Sequence, residues 1–292
     1  MISCFIILID GFIQYFFTHK DILHNYPTFN YVWTDPSYLG VPTASFPFPN
    51  DFAAWILVFI FPIGAFVIFE KIKWPVKFIC GVALAALLYS LFLTKVRGAW
   101  IGFAGALSAF GLVKPKTAGI ILIILVTAFA FLVQGQLMHY VKSRTSVRDR
   151  AEMWDTGLRI FKAHPVIGNG VNTFFNLYKV ERQDEDKGKK GSYAHNCYLQ
   201  MACDTGLFGL FSFIAFVMLI FWNGIKCLRK TADIFMYPMI LGTGLGLLAF
   251  LIHSAVDTNL YSLPLAALFW LSCGILSAAV KISQDKAYEA VK

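Results

Sequence analysis

Residues 52–69 read FAAWILVFIFPIGAFVIF, an apolar run without a single charged side chain. A helix of about 20 such residues crosses the roughly 30 Å hydrocarbon core of a bilayer. A strand of a membrane β-barrel would instead alternate apolar and polar residues over about ten positions. This run is apolar on every side, so it predicts a transmembrane helix.

Comparable runs recur along the whole chain, which is 58% hydrophobic and only 14% charged. This balance is more apolar than that of a water-soluble protein. Together with the repeated runs, it predicts an all-α, polytopic membrane helix bundle of about eight helices in a single membrane domain, residues 1–292.

The first run lacks a basic start and a cleavage site, so we predict a retained helix there instead of a signal peptide. The predicted spans are 2–17, 52–70, 76–94, 98–113, 117–135, 196–222, 234–254 and 261–280.

The net charge of +8 suggests either nucleic-acid binding or basic anchors on the cytoplasmic side of a membrane. Counting eight helices from Met1 places four basic groups on one side, as the positive-inside rule requires of cytoplasmic loops. We therefore predict cytoplasmic termini and no nucleic-acid partner. The groups are Lys71, Lys73 and Lys77; Lys114 and Lys116; Lys226, Arg229 and Lys230; and Lys281, Lys286 and Lys292.

The long loop 136–195 falls on the opposite side in this topology. Within it, residues 144–161 have the pattern of an amphipathic helix lying in the membrane interface. The stretch HPVIGNGVNTFF at 164–175 follows. It lacks the Lys-Ser/Thr of a phosphate-binding loop, so its glycines predict a turn. The charged run 181–191 predicts a flexible, solvated segment.

Metal chemistry has little support here, because the outward loops contain no HExxH or CxxC motif. Asp184 and Asp186 lie in a lysine-rich run and are predicted to be solvated charges. The cysteines also lack metal-ligand spacing, and we expect small core residues. They are Cys4, Cys80, Cys197, Cys203, Cys227 and Cys273.

Four ionisable groups at the ends of predicted helices are functional candidates, because charges at membrane depth are costly. They are predicted on the outward side, and they are Arg97, Arg150, His195, and His253 with Asp257. A neutral imidazole such as that of His195 suits proton removal at physiological pH. For Arg97, snorkelling to the interface is an equally good reading. His253 and Asp257 are four residues apart, so a polar pair joining helices is the alternative to a functional role.

The motifs in this order resemble the bacterial O-antigen ligase and polymerase superfamily, membrane enzymes that transfer glycans from a polyprenyl diphosphate carrier. The resemblance covers most of the chain, and its pieces are FPFPNDFAAWILVFIFP, VRGAWIGF, RAEMWDTGLRIFKAHPVIGNGVNTF, HNCYLQMACDTGLFGL and HSAVDTN.

This resemblance implies a GT-C-like fold in the bacterial inner membrane and an active side that faces the periplasm. The implied reaction transfers a glycan, with inversion, from an undecaprenyl-diphosphate-linked donor to an acceptor hydroxyl, without a metal or other cofactor. Arg97 and Arg150 would bind the diphosphate, Arg150 with a catalytic part, and His195 would be the catalytic base. The supporting residues would be Asn196, Asp257 and His253.

The resemblance favours an O-antigen ligase whose acceptor is the lipid A-core. A polysaccharide polymerase and a protein O-oligosaccharyltransferase stay open, and a membrane transporter or an inactive shortened relative is a more distant reading. Two features depart from the family: the chain is shorter at its N-terminus, and YLGVPTASFPFPN lacks the arginine that many members carry before Asn50. We expect one diphosphate contact fewer as a result.

Overall fold

The computed structural model describes residues 2–18, 41–69, 71–113, 145–181 and 193–289. This part of the chain is helical and contains no strand, which confirms the predicted all-α class. Its α-helices are α1 (Ile2–Ile13), α2 (Pro49–Ile68), α3 (Trp74–Thr94), α4 (Arg97–Val113), α5 (Thr145–Ala163), α6 (Phe174–Glu181), α7 (Cys197–Leu228), α8 (Met236–His253) and α9 (Leu263–Glu289).

Five of these helices, α2, α3, α7, α8 and α9, are long and apolar enough to cross a membrane. The protein is therefore a multi-pass helical membrane protein. Of the other predicted spans, 98–113 is helical as α4, and 2–17 forms α1 with a π-helical end at Gln14–Thr18. The predicted span 117–135 and most of the predicted flexible segment 181–191 lie outside the described residues.

The chain divides into two compact units, and the first contains residues 1–104, 218–253 and 259–292. Its centre is the pair α2 and α8, which run antiparallel. Gly242 lies against the backbone of Pro62 and Gly246 against that of Val58, so that added Cβ atoms would be 2.5 and 2.7 Å from backbone atoms. Small residues at such a crossing permit close helix packing in a membrane.

Two polar residues fix α1 to the chain that leads into α2, within the same unit. The buried Asp10 carboxylate accepts a hydrogen bond from Ser45 Oγ at 2.7 Å. The buried Gln14 Oε1 accepts the backbone N–H groups of Thr43 and Ala44, each at 2.8 Å. Backbone groups that would otherwise be unpaired before Pro49 are thus satisfied, and Pro49 then starts α2, where its missing N–H costs nothing.

At one end of the first unit, polar contacts join α8 to the C-terminal half of α9. The Asp233 carboxylate caps α8, because its Oδ1 accepts the N–H groups of Phe235 and Met236 at 2.9 and 2.8 Å. Its Oδ2 accepts a hydrogen bond from Lys286 Nζ at 2.8 Å, and Ser283 Oγ donates to Thr231 Oγ1 at 2.6 Å. These contacts hold the two helix ends together.

The second unit contains residues 105–217 and 254–258. Its described core is built from α5, α6 and the beginning of α7. The predicted helix 144–161 is confirmed as α5, and Ile160 is buried against Phe174 and Tyr178 of α6 and Cys203 of α7. Five of the predicted core cysteines are buried, as expected: Cys80, Cys197, Cys203, Cys227 and Cys273. The side chain of Cys4 lies outside the description.

Candidate functional site

The start of α7 carries two of the candidate residues, His195 and Asn196. Asn196 is the N-cap of this helix, because its Oδ1 accepts the backbone N–H groups of Tyr198 and Leu199, both at 3.0 Å. Asn196 therefore fixes where α7 begins. His195 is the residue immediately before this cap, so its position is set by the helix terminus.

A turn from a distant part of the sequence is tied to the same helix start. The N–H of Cys197 is shared between the carbonyl oxygens of Ser254 and Asp257, at 2.9 and 3.1 Å. This backbone contact brings the Asp257 carboxylate to the imidazole, and His195 Nδ1 lies 3.3 Å from Asp257 Oδ1. Asp257 Oδ1 also accepts the N–H of Thr258 at 2.8 Å. The structure thus pairs His195 with Asp257.

This pair has the arrangement of an oriented base. Asp257 is 6% exposed, whereas the His195 side chain is 36% exposed, so among the described residues one side of the imidazole faces the buried carboxylate and part of the ring is uncovered. A carboxylate accepts the proton on Nδ1 of a neutral imidazole, which leaves Nε2 as an acceptor. The same carboxylate stabilises the imidazolium that forms when Nε2 takes a proton.

The backbone at His195 is held in an uncommon conformation. Its φ is +46°, in the left-handed region that residues with a Cβ rarely adopt. The neighbouring Ala194 is fully buried, and its N–H donates to Oε1 of the buried Gln200 at 3.2 Å. Such strain persists only where surrounding contacts enforce it, and it is frequent at functional sites.

The helix that carries this site is broken two residues after Asp204. Gly206 has φ +66° and ψ −169°, which only glycine adopts readily. A regular helix would bond the N–H groups of Leu207 and Phe208 to the carbonyl oxygens of Cys203 and Asp204. At the kink, these four groups must find other partners.

The loop at residues 164–172 supplies all four partners. The N–H groups of Leu207 and Phe208 donate to the carbonyl oxygens of Pro165 and Val166 at 2.8 and 3.2 Å. In return, the N–H groups of Asn169 and Gly170 donate to Cys203 and Asp204, each at 2.9 Å. The predicted turn in this loop is therefore confirmed, and its role is to stabilise the kink of α7 beneath His195.

Sequence reasoning overlooked two buried carboxylates in apolar helices, Asp204 and Asp10. Asp204 Oδ2 accepts the N–H of Asn172 at 3.2 Å, and so secures the end of the 164–172 loop. The sequence could have indicated both residues, because each is an aspartate inside a predicted span, and an ionisable residue at such a position is expected to have a specific partner.

The other candidates belong to other helices. Arg150 is half-buried in the first half of α5, in the second unit with His195 and Asp257. Arg97 is exposed at the first residue of α4, in the first unit. His253 is completely buried at the last residue of α8, in the first unit, and its Nδ1 accepts a hydrogen bond from Asn259 Nδ2 at 3.3 Å. Because α8 ends at His253, the helical spacing expected between His253 and Asp257 does not apply.

Within the described ranges, no three His, Cys, Asp or Glu side chains are grouped as a metal-binding site would require. Comparison with known families finds that residues 82–214 match the family described as O-Antigen ligase, in agreement with the resemblance seen in the motifs. The matched segment contains Arg97, Arg150, His195 and Asn196. No curated protein matches the chain.

Proposed function

Starting from the O-antigen ligase family match over residues 82–214, we propose that this protein is an inverting glycosyltransferase of the bacterial inner membrane. It transfers a glycan from an undecaprenyl-diphosphate-linked donor to an acceptor hydroxyl, and the favoured acceptor is the lipid A-core. The His195–Asp257 pair at the start of α7 carries the proposal, because a hydroxyl acceptor needs a base and this arrangement provides one.

The reaction is a single displacement at the anomeric carbon C1. As the acceptor oxygen attacks C1, its proton passes to Nε2 of His195, and Asp257 stabilises the resulting imidazolium. The bond between C1 and the diphosphate oxygen breaks, and its electron pair leaves with the diphosphate. Because the nucleophile enters opposite the leaving group, the configuration at C1 inverts.

The leaving diphosphate gains negative charge in this step, and guanidinium groups suit that charge. An arginine binds phosphate oxygens through two parallel N–H donors and keeps its charge at every relevant pH. We assign Arg150 to this contact, with Arg97 as a second diphosphate ligand. Stabilisation of the developing charge is the part that Arg150 takes in catalysis.

The active side faces the periplasm in this proposal, with the lipid of the donor kept in the bilayer. Residues 197–205 form a helical arm of about 13 Å at a rise of about 1.5 Å per residue, and His195 lies two residues beyond the end of this arm that is far from the kink. The polar headgroup region of a bilayer is about 5–8 Å thick on each side. A diphosphate at headgroup level and a sugar just above it would meet the imidazole.

The test is expression in a host that makes the lipid-linked donor but lacks its own O-antigen ligase. Wild type should attach glycan to the lipid A-core on a glycolipid gel, whereas His195→Asn should lose the transfer. Asparagine tolerates the left-handed backbone that His195 adopts, so this variant tests the base and not the fold. His164→Asn, which changes an exposed histidine of the adjacent loop, is the matched control and should transfer normally.

Arg150→Ala should also lose transfer, and Lys162→Ala, an exposed cation on the same helix α5, should not. Full transfer by His195→Asn at normal membrane levels would refute the base assignment. Glycan chains that lengthen on the carrier, without transfer to the lipid A-core, would refute ligase activity and favour a polymerase.

A further inference from the structure

The 164–172 loop has an apolar tip that no described residue covers. Val166, Ile167 and Val171 are 65%, 78% and 76% exposed, and they belong to the stretch that the sequence predicts as a turn of the long loop 136–195. Three exposed aliphatic side chains within six residues are unusual on a surface that faces water, and they indicate a contact with another apolar phase or molecule.

The backbone of this tip is joined directly to a membrane-spanning helix. Val166 accepts the N–H of Phe208, and Pro165 accepts that of Leu207, so the tip lies beside the first turn of α7 after the kink. Residues 207–228 provide the length of about 20 residues that one crossing requires. A crossing by these residues places the kink at the level where α7 enters the hydrocarbon, later in the chain than the predicted start of the span at residue 196.

The surface of α7 continues the apolar surface of the tip. Phe208 and Phe211 are 78% and 61% exposed, and only 6% of the residues in the most apolar stretch of α7 are buried by the described part of the protein. A membrane-spanning helix with such a surface is covered by lipid. The tip, which is hydrogen-bonded to the beginning of that surface, is covered by the same lipid.

The polar groups of the loop are compatible with this position. Non-helical backbone is tolerated near the bilayer core only where its N–H and C=O groups are satisfied within the protein, and the 164–172 loop exchanges four such bonds with α7. The Asn169 side chain is directed inward, because its Nδ2 donates to the carbonyl oxygens of Ile160 and Cys203 at 3.3 and 3.0 Å.

We propose that Val166, Ile167 and Val171 insert into the acyl-chain boundary of the adjacent leaflet, so that the 164–172 loop is a membrane-contacting element of the protein. Apolar side chains at such a boundary are buried by about 5–10 Å. The insertion fixes the loop, and through its four hydrogen bonds the kink of α7, at a constant depth. It does not depend on the proposed transfer reaction, since it rests only on exposure and backbone bonding.

The experiment places a nitroxide spin label at single cysteines in the full chain, reconstituted in phospholipid vesicles after replacement of the native cysteines. Accessibility to oxygen, which concentrates in the acyl region, is compared with accessibility to a water-soluble nickel chelate. Val166→Cys, Ile167→Cys and Val171→Cys should favour oxygen several-fold more than Val180→Cys. The control Val180 is 79% exposed and lies between Lys179 and Glu181 of α6. Phe211→Cys, within the spanning part of α7, should give the highest oxygen preference.

Two results would overturn the proposal. Equal ratios at positions 166, 167, 171 and 180 would place the tip in water. Protection of the three tip positions from both reagents would mean that protein covers them, either a second copy or another segment of this chain. Neither result would bear on transfer activity, which the glycolipid gel measures separately.

Discussion

At the residue scale, two sets of backbone contacts position the imidazole of His195: the cap at the start of α7 and the turn that carries Asp257. Asn196 fixes the first turn of α7, and the shared N–H of Cys197 fixes the turn that carries Asp257. The His195 to Asp257 distance of 3.3 Å thus follows from backbone bonds and not only from attraction between the two side chains. The carboxylate is consequently expected to affect the chemistry of the imidazole more than the stability of the fold.

Replacement of Asp257 by asparagine tests this expectation. The amide oxygen still accepts the N–H of Thr258, but it no longer stabilises an imidazolium at His195. We expect kcat for transfer to fall by part of the roughly 10²–10⁴-fold that a general base contributes, while KM for the acceptor stays close to that of wild type. Steady-state kinetics on purified protein measure both constants. A raised KM with unchanged kcat would mean that Asp257 binds acceptor instead.

Asp233 gives a prediction for the pH dependence of stability. The Lys286 ammonium, followed by the N–H groups of Met236 and Phe235, lowers the pKa of this carboxyl from 3.8 to about 2. Because the folded pKa lies below the unfolded one, the stabilisation is complete above about pH 4 and is lost as the pH falls through about 2. An N-cap contributes about 1 kcal/mol and an exposed ion pair at most about as much.

Asp233→Asn should therefore lower the thermal midpoint at pH 7, and the difference from wild type should shrink at pH 3. Thermal unfolding of the purified protein at the two pH values measures this. Asp285→Asn, an exposed carboxylate on the same helix α9 as Lys286, is the control and should leave the midpoint unchanged at both. A difference that widens on acidification would contradict the assigned sign.

At the element scale, the spans of α2, α3, α7, α8 and α9 were predictable, because a long apolar run has no other stable form in a bilayer. The kink in α7 was not. The glycine in CDTGLFGL is visible in the sequence, but its break is stable only because a loop some 40 residues earlier satisfies the freed backbone groups. Hydropathy carries no information on such non-local hydrogen bonds.

Substitution of either glycine at this contact should disrupt the second unit. A Cβ at Gly206 would collide with the carbonyl of Val166, and one at Gly168 with the carbonyl of Asp204. Both residues also have positive φ. Strain and overpacking together predict a loss of about 2–6 kcal/mol for Gly206→Ala or Gly168→Ala.

The thermal midpoint and the yield of folded protein measure this loss. Gly274→Ala is the control, because a Cβ at that position of α9 meets nothing within 4 Å. Wild-type behaviour of Gly206→Ala would mean that α7 can straighten without the loop.

Alanine substitutions at the three glycines of GTGLG in α8 distinguish the effect of helix packing on stability from the effect of helix propensity. Gly242 and Gly246 face the backbone of α2, whereas a Cβ at Gly244 would meet nothing within 4 Å. We expect Gly242→Ala and Gly246→Ala each to lower stability by about 1–3 kcal/mol, the usual cost of overpacking. Gly244→Ala should be neutral or stabilising, since alanine favours the helix more than glycine does. Equal effects at all three positions in thermal unfolding would contradict the close contact of α2 with α8.

At the scale of the whole molecule, the positions of candidate residues along the chain were predictable, but their pairings were not. His195, Asp257 and His253 were identified as candidates because an ionisable side chain at membrane depth has a high free-energy cost. The four-residue spacing suggested that His253 pairs with Asp257, but it did not indicate that Asp257 contacts His195 or that Asn259 contacts His253. Both contacts involve the turn after α8, where helical spacing no longer holds.

The arrangement of the first unit bears on the orientation of the protein in the membrane. Since α2 and α8 are antiparallel, the end of α2 meets the beginning of α8, where the rings of Phe69 and Tyr237 are 4.8 Å apart. The Asp233 to Lys286 contact brings the end of α9 to the same place. The basic groups after α2, before α8 and along the end of α9 therefore gather at one end of this unit, although they are far apart in sequence.

Such a group of lysines and arginines is expected on the cytoplasmic side. Single-cysteine variants in which Lys73, Lys230 or Lys95 is replaced test that orientation. All three side chains are exposed, the first two at the basic end and Lys95 in the turn between α3 and α4. With the native cysteines replaced, a membrane-impermeant maleimide added to cells with a permeable outer membrane should label Lys95→Cys at once. It should label Lys73→Cys and Lys230→Cys only after the inner membrane is lysed, because the reagent cannot reach the cytoplasm before that. The reverse pattern would turn His195 toward the cytoplasm and leave a periplasmic acceptor out of reach of the proposed base.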